Sequence, residues 1–172
     1  MKKRRIFLLL ILSLIILGGC ELTEDGSYVA PITNYEKIAG NWSLTSITQT
    51  DEIAKAGSSE PSEVQLITQF GFSDFQIKLN VDESFQPTSF EVSGNAPELF
   101  LKSGYWELDE PFAHSDGSVA KILLYSDEAK TQLVDQLSVT AVPGAVANLG
   151  FKLTRSTEQT PYVSYLYQLS PL

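Results

Sequence analysis

Apolar side chains recur at every second residue through most of this chain, in short segments bounded by turn-forming residues. A strand turns successive side chains to opposite faces, so this period marks strands with one face in a core. The clearest case is Phe75, Ile77, Leu79 and Val81. Phe90 and Val92 resume the alternation after the turn residues Asp82 to Pro87, which predicts a hairpin. Trp42 and Leu44 share one face of an earlier segment. Further strands are predicted over Tyr105–Asp109, Val119–Tyr125, Val134–Ala141, Leu149–Thr154 and Val163–Leu169. For Val64 to Phe70 the periodicity does not decide between a strand and a connecting turn. A short helical turn is expected within Asp51–Ser59, and no long helix anywhere. The pattern predicts an all-β fold, an antiparallel barrel of eight or nine strands, with a β-sandwich as the alternative. Two connections, Asp51–Ser62 and Asn95–Ser103, exceed hairpin length and are where a lid over a binding site is expected.

The amino-terminal segment has a different logic. Lys2-Lys3-Arg4-Arg5 form a basic patch, and Ile6 to Leu17 follow without a charge and with one polar side chain, Ser13. A membrane-crossing helix needs about 20 apolar residues, so this run is too short and reads as a secretory signal. It ends in Leu17-Gly18-Gly19-Cys20, which resembles the lipobox of bacterial lipoproteins. That resemblance implies cleavage after Gly19 and a lipid on Cys20. Each buried methylene adds about 0.8 kcal/mol, so three acyl chains would hold the protein on a membrane essentially permanently. The expected divisions are a signal peptide over 1–19, a lipidated tether over 20–34 and a barrel domain over 35–172. Glu21 and Glu24-Asp25 lie close to the anchor, and the periplasmic face of an outer membrane and the cell surface both fit.

Composition narrows the chemistry. The four basic residues of the signal leave with it, so eight of the twelve Lys/Arg remain against 21 Asp/Glu, a net charge near −13. Such a surface repels phosphate backbones, and nucleic acid is not an expected partner. With the single cysteine lipidated, no thiol is left for a disulfide, catalysis or a metal. One histidine and no free cysteine disfavour a transition-metal site, and no cofactor is expected. Asp109-Glu110, Asp116 and Asp127-Glu128 would serve calcium only by converging at one barrel rim. His114-Ser115-Asp116 invites comparison with a hydrolytic triad, but neighbours along a chain rarely face one another. Asp116-Gly117 is better read as a turn between two strands, and no catalytic residue is assigned.

Gly40-Asn41-Trp42-Ser43-Leu44 and Gly104-Tyr105-Trp106-Glu107-Leu108 repeat the pattern Gly-x-Trp-x-Leu. Glycine admits the close approach of a neighbouring strand, and the Trp then enters the interior with the following Leu. Residues Ile38 to Leu44, with Phe70-Gly71-Phe72-Ser73-Asp74-Phe75-Gln76-Ile77-Lys78-Leu79-Asn80, resemble lipocalin-like proteins, in particular small lipoproteins of Gram-negative gut-type bacteria. The resemblance spans Tyr35 to Leu169 and implies an eight-stranded barrel with Trp42 closing one end. Arg155 is the one late match for the basic residue that packs on that Trp in lipocalins. Gly40, Trp42, Trp106, Phe75 and Tyr165 are the expected barrel-end or cavity residues, and Tyr162, Tyr165 and Tyr167 are suited to stacking or lining a pocket. The leading expectation is a non-enzymatic, membrane-anchored protein binding a small apolar or glycan-like ligand. A structural or accessory module that docks on an envelope protein through a surface patch is second, and an enzyme third. An interior rich in small residues favours the first and an exposed aromatic patch the second. A buried carboxylate of raised pKa in a cleft favours the third.

Overall fold

The computed structural model describes Gly26 and residues 29–172. The signal segment, Gly19 and Cys20 lie outside the described residues. Ile32–Leu172 form one compact unit. It opens with the helix α1 (Asn34–Ile38), started by a capping box in which the Thr33 hydroxyl accepts from the Glu36 N–H and the Glu36 carboxylate from the Thr33 N–H. Strand β1 (Gly40–Asp51) follows, then the helix α2 (Glu52–Ala56), capped by Asp51, and the short strand β2 (Glu63–Gln65). A single 3₁₀ turn (Phe72–Asp74) leads into β3 (Gln76–Val81) and β4 (Pro87–Ser93). Then come β5 (Ser103–Leu108), β6 (Lys121–Tyr125), β7 (Leu133–Ala141), β8 (Leu149–Thr157) and β9 (Thr160–Pro171).

Every strand from β3 to β9 pairs antiparallel with the next, and β9 returns to pair with β1 over Trp42–Asp51. Eight strands thus close a barrel, which excludes the sandwich. The first residues of β1 pair with β3, while β2 adds to the same edge further along, at Thr48–Thr50. A bulge between Leu44 and Ser46 shifts the register, so the inward face passes from Trp42 and Leu44 to Ile47. Val64–Phe70 resolves into the end of β2 followed by turns: Glu63–Gln65 pair with β1, and the ladder ends where the Leu66 N–H donates to the Ile47 carbonyl at 2.9 Å.

The bore is filled. Ile77, Leu79, Phe90, Trp106, Ile122, Leu124, Leu137, Leu149 and Phe151 are all buried within one continuous core. At the lower end, where β1 begins, α1 covers the opening with Ile38, and the Trp42 indole N–H donates to the Ile38 carbonyl at 2.8 Å. Trp106 reaches the same end: its N–H donates to the Asn80 carbonyl at 2.8 Å, and its ring meets Tyr35 of α1 edge-on at 6.1 Å. A Cβ on Gly104 would overlap the Tyr125 carbonyl, so the glycine is what lets β5 approach β6. Arg155 lies at the upper end of the barrel, away from Trp42. The lipocalin-type pairing of these two residues is therefore not made; inward-facing Asp135 on the adjacent strand takes the arginine instead.

Outside the barrel, α2 covers part of β8 and β9. The Glu52 carboxylate accepts from Lys152 Nζ at 2.8 Å and from the Ser164 hydroxyl at 2.5 Å. Those bonds, Lys152 first and Ser164 second, hold its pKa below the ordinary glutamate value. A lowered folded pKa adds stability above the unfolded value, and that stability is lost as pH falls through the folded one. Glu52→Gln is expected to cost about 1 kcal/mol at pH 7 in urea unfolding. The difference from wild type should vanish below the folded pKa; a gap that persists in acid would refute the assignment.

Candidate functional site

The upper end of the barrel is built differently from the lower. Its rim carries the residues after β2, the 3₁₀ turn and the connection from β4 to β5. Gly94 starts that connection with φ +99°, and a Cβ there would overlap the Asp74 carbonyl, so the loop leaves the strand pressed against the 3₁₀ turn. The loop then dips inward. Phe100 enters the bore and meets Phe75 at 6.3 Å, Phe151 at 6.2 Å and Tyr167 at 5.9 Å between ring centroids. Phe151 and Tyr167 stack at 4.8 Å. Burial, with a smaller effect of Tyr165, pushes the Tyr167 hydroxyl pKa up, so the ring is neutral at physiological pH.

A single basic residue holds the loop down. Arg155 Nη1 donates to Asp135 Oδ1 at 2.6 Å, and Nη2 donates to the Leu99 carbonyl. The Asp135 side chain is 5% exposed, so the guanidinium neutralises a carboxylate facing the top of the bore. Only about 10 Å³ of space remains beneath the loop beside Phe75, Ala96 and Phe100. The long connection thus lies over the barrel mouth where a lid was expected, and it carries a plug into the bore.

Beside this plug lies an open apolar cleft of about 200 Å³, lined by Gln49, Leu66, Phe70, Phe72, Pro97, Leu99 and Tyr165. Phe70 is 67% exposed and has a left-handed backbone, φ +55°. That conformation costs a non-glycine residue about 1 kcal/mol or more, and here it turns a phenyl ring toward solvent. Tyr165 enters the cleft from β9, on the same inward face as Tyr167.

Of the residues singled out from sequence, Phe75 and Tyr165 belong to this upper region. Gly40, Trp42 and Trp106 belong to the opposite end. Phe70, Leu99 and Phe100 were not among the expected site residues: all three sit on non-periodic segments, and for Leu99 and Phe100 the one available signal was the length of the 95–103 connection. The acidic pairs do not converge, since Asp109 follows β5 at the lower end and Asp127 follows β6 at the upper. Among the described residues no group of three or more His, Cys, Asp or Glu side chains is placed to hold a metal ion. The carboxyls whose pKa moves, Glu52, Glu63, Asp116 and Asp127, all move down.

Residues 18–170 match the model of a domain of unknown function, DUF5004. The chain belongs to this family. No curated protein and no solved structure matches it. The closed eight-stranded antiparallel barrel of this family member is consistent with the lipocalin-like architecture that its Gly-x-Trp opening implied.

Proposed function

We propose that this protein is a lipid-anchored component of the bacterial cell envelope that binds a small apolar ligand at the upper mouth of its barrel. The observation that carries the reading is the exposed Phe70 ring beside Leu66, Pro97, Leu99 and Tyr165, at the end of the bore that a loop closes, opposite the end covered by α1. Burying apolar surface releases about 25 cal/mol per Å², so a cleft of this composition favours an apolar group over a glycan, which needs more polar partners than Gln49 and Tyr165 provide. Binding at this mouth is proposed as non-catalytic. Attachment through Cys20 rests on the basic patch, the short apolar run and the Leu-x-Gly-Cys ending.

Native mass spectrometry of the full chain extracted from cell membranes tests both parts at once. The expected spectrum starts at Cys20 with the mass of its acyl chains, plus a discrete further mass that leaves on unfolding and is depleted in Phe70→Ala. An unlipidated Cys20 would remove the anchor. A clean apo mass would remove the ligand.

The filled bore and the exposed Phe70 ring also meet the criterion for a second reading, an accessory module that docks an envelope protein through the same patch. In that case the apo mass is accompanied by a protein crosslink at position 70.

A further inference from the structure

The connection between β5 and β6, at the lower end of the barrel, contains a hydrogen-bonded relay that chain adjacency did not foretell. It uses neither Ser115 nor Asp116. His114 Nε2 lies 3.2 Å from Asp109 Oδ1, and His114 Nδ1 lies 2.7 Å from the Ser118 hydroxyl oxygen. A carboxylate only accepts, so Nε2 carries the ring proton and donates to Asp109. Nδ1 then has its lone pair free and accepts the Ser118 hydroxyl proton. The carboxylate is itself fixed, because Oδ1 accepts the backbone N–H groups of Glu110 at 3.0 Å and Lys121 at 2.8 Å. The His114 side chain is 15% exposed, so its orientation is held by its surroundings.

One backbone contact and one to a carboxylate already close this loop without the imidazole. The Gly117 N–H donates to the His114 carbonyl at 3.2 Å, and the Ser118 N–H to Asp116 Oδ1 at 2.8 Å. The contact between imidazole and hydroxyl is additional to that turn. Ser118 and His114 open onto a groove of about 440 Å³ with apolar walls from Val119, Val139, Val142 and Pro143. Asn34 and Lys37, from α1 at the chain's entry to the barrel, line the same groove and carry N–H donors.

We propose that Ser118, His114 and Asp109 form a hydrolytic site for neutral esters of short apolar acyl groups, separate from the mouth and independent of its ligand. A serine needs a base on its hydroxyl and an orienting acceptor on the far side of that base. Both are present, with the two ring nitrogens exchanged relative to the commonest triads. Ser118 Oγ attacks the ester carbonyl carbon as its proton passes to His114 Nδ1. The Asn34 and Lys37 side chains, which line the same groove, are the donors available to the oxyanion. The C–O bond to the alcohol then breaks, and the alcohol leaves with the proton from Nδ1. Water attacks the acyl-serine, gives its proton to Nδ1 and releases the carboxylic acid, and Ser118 recovers its hydrogen. Asp109 is a positioning residue that keeps the proton on Nε2. The strongly acidic surface disfavours anionic substrates, which leaves neutral ones.

The test is covalent labelling of the full chain with a fluorophosphonate probe, with p-nitrophenyl butyrate hydrolysis measured alongside. The expected result is one label, mapped to Ser118 by peptide mass spectrometry, and absent from Ser118→Ala. His114→Gln keeps a hydrogen-bonding side chain of similar size but has no base, and should slow labelling about a hundredfold. Absence of label on folded wild-type protein would overturn the proposal. Equal labelling of wild type and His114→Gln would do the same, because a hydroxyl that merely braces a turn does not depend on imidazole for reactivity.

Discussion

Truncating Trp106 to alanine is expected to destabilise the domain by about 4 kcal/mol. The side chain is fully buried, so its removal opens a void that the closed barrel cannot collapse to fill. Two further losses add to the cavity. The Asn80 carbonyl loses the indole N–H that it accepts at 2.8 Å, and Tyr35 loses the ring it meets edge-on. Because Tyr35 belongs to α1, the substitution also loosens the closure of the lower end. Chemical denaturation of wild type and variant checks the magnitude, and hydrogen exchange at Tyr35–Ala39 checks the coupling to α1. A loss under about 1 kcal/mol would mean that this indole is not an integral part of the barrel core.

The second large effect is expected at the upper end. Arg155→Met keeps an apolar stem of similar reach but leaves Asp135 facing the bore without a partner and takes a donor from the Leu99 carbonyl. Breaking a buried pair by removing one partner costs about 3–5 kcal/mol, and the partly exposed guanidinium places this case at about 3 kcal/mol. At about 2–4 °C per kcal/mol, the melting temperature should fall by roughly 10 °C. A loss of stability alone would not show that the arginine holds the loop. The specific expectation is faster amide exchange across 95–102 than across β8 and β9. Uniform acceleration over the whole barrel would mean that Arg155 stabilises the fold without acting as a latch on the loop that carries Phe100.

Much of the barrel was legible because strand faces obey a local rule. Leu149, Phe151 and Leu153 alternate with Gly150, Lys152 and Thr154, and the first set lies in the core. Tyr167 and Leu169 behave likewise on β9. The Asp82–Pro87 turn joins β3 to β4 as its residue types implied. Gly117, with φ +77°, sits in the turn read for Asp116-Gly117. One local signal went unread: Thr33-x-x-Glu36 is a capping-box pattern, and it starts α1.

The candidate sites were far less legible. Phe100 is a core residue on a segment without strand periodicity, buried because the loop folds back over an open barrel end. Ser118 and Asp109 reach His114 only because the loop between β5 and β6 doubles on itself. Residues four and five positions away face the ring, while its immediate neighbours do not.

By itself the sequence determined most of the strands, the inward faces of those with clean alternation and the burial of both Trp side chains, since period two and turn chemistry act within a few residues. Arg155 marks where that reach ends. Its place on an inward face follows from alternation along β8, but its partner does not. Only the register of β7 against β8 and the docking of the 94–102 loop over the mouth brought Asp135 and the Leu99 carbonyl to its guanidinium in place of Trp42. Pairing between distant strands and the docking of loops on barrel ends depend on contacts across the whole chain, and no local pattern encodes them.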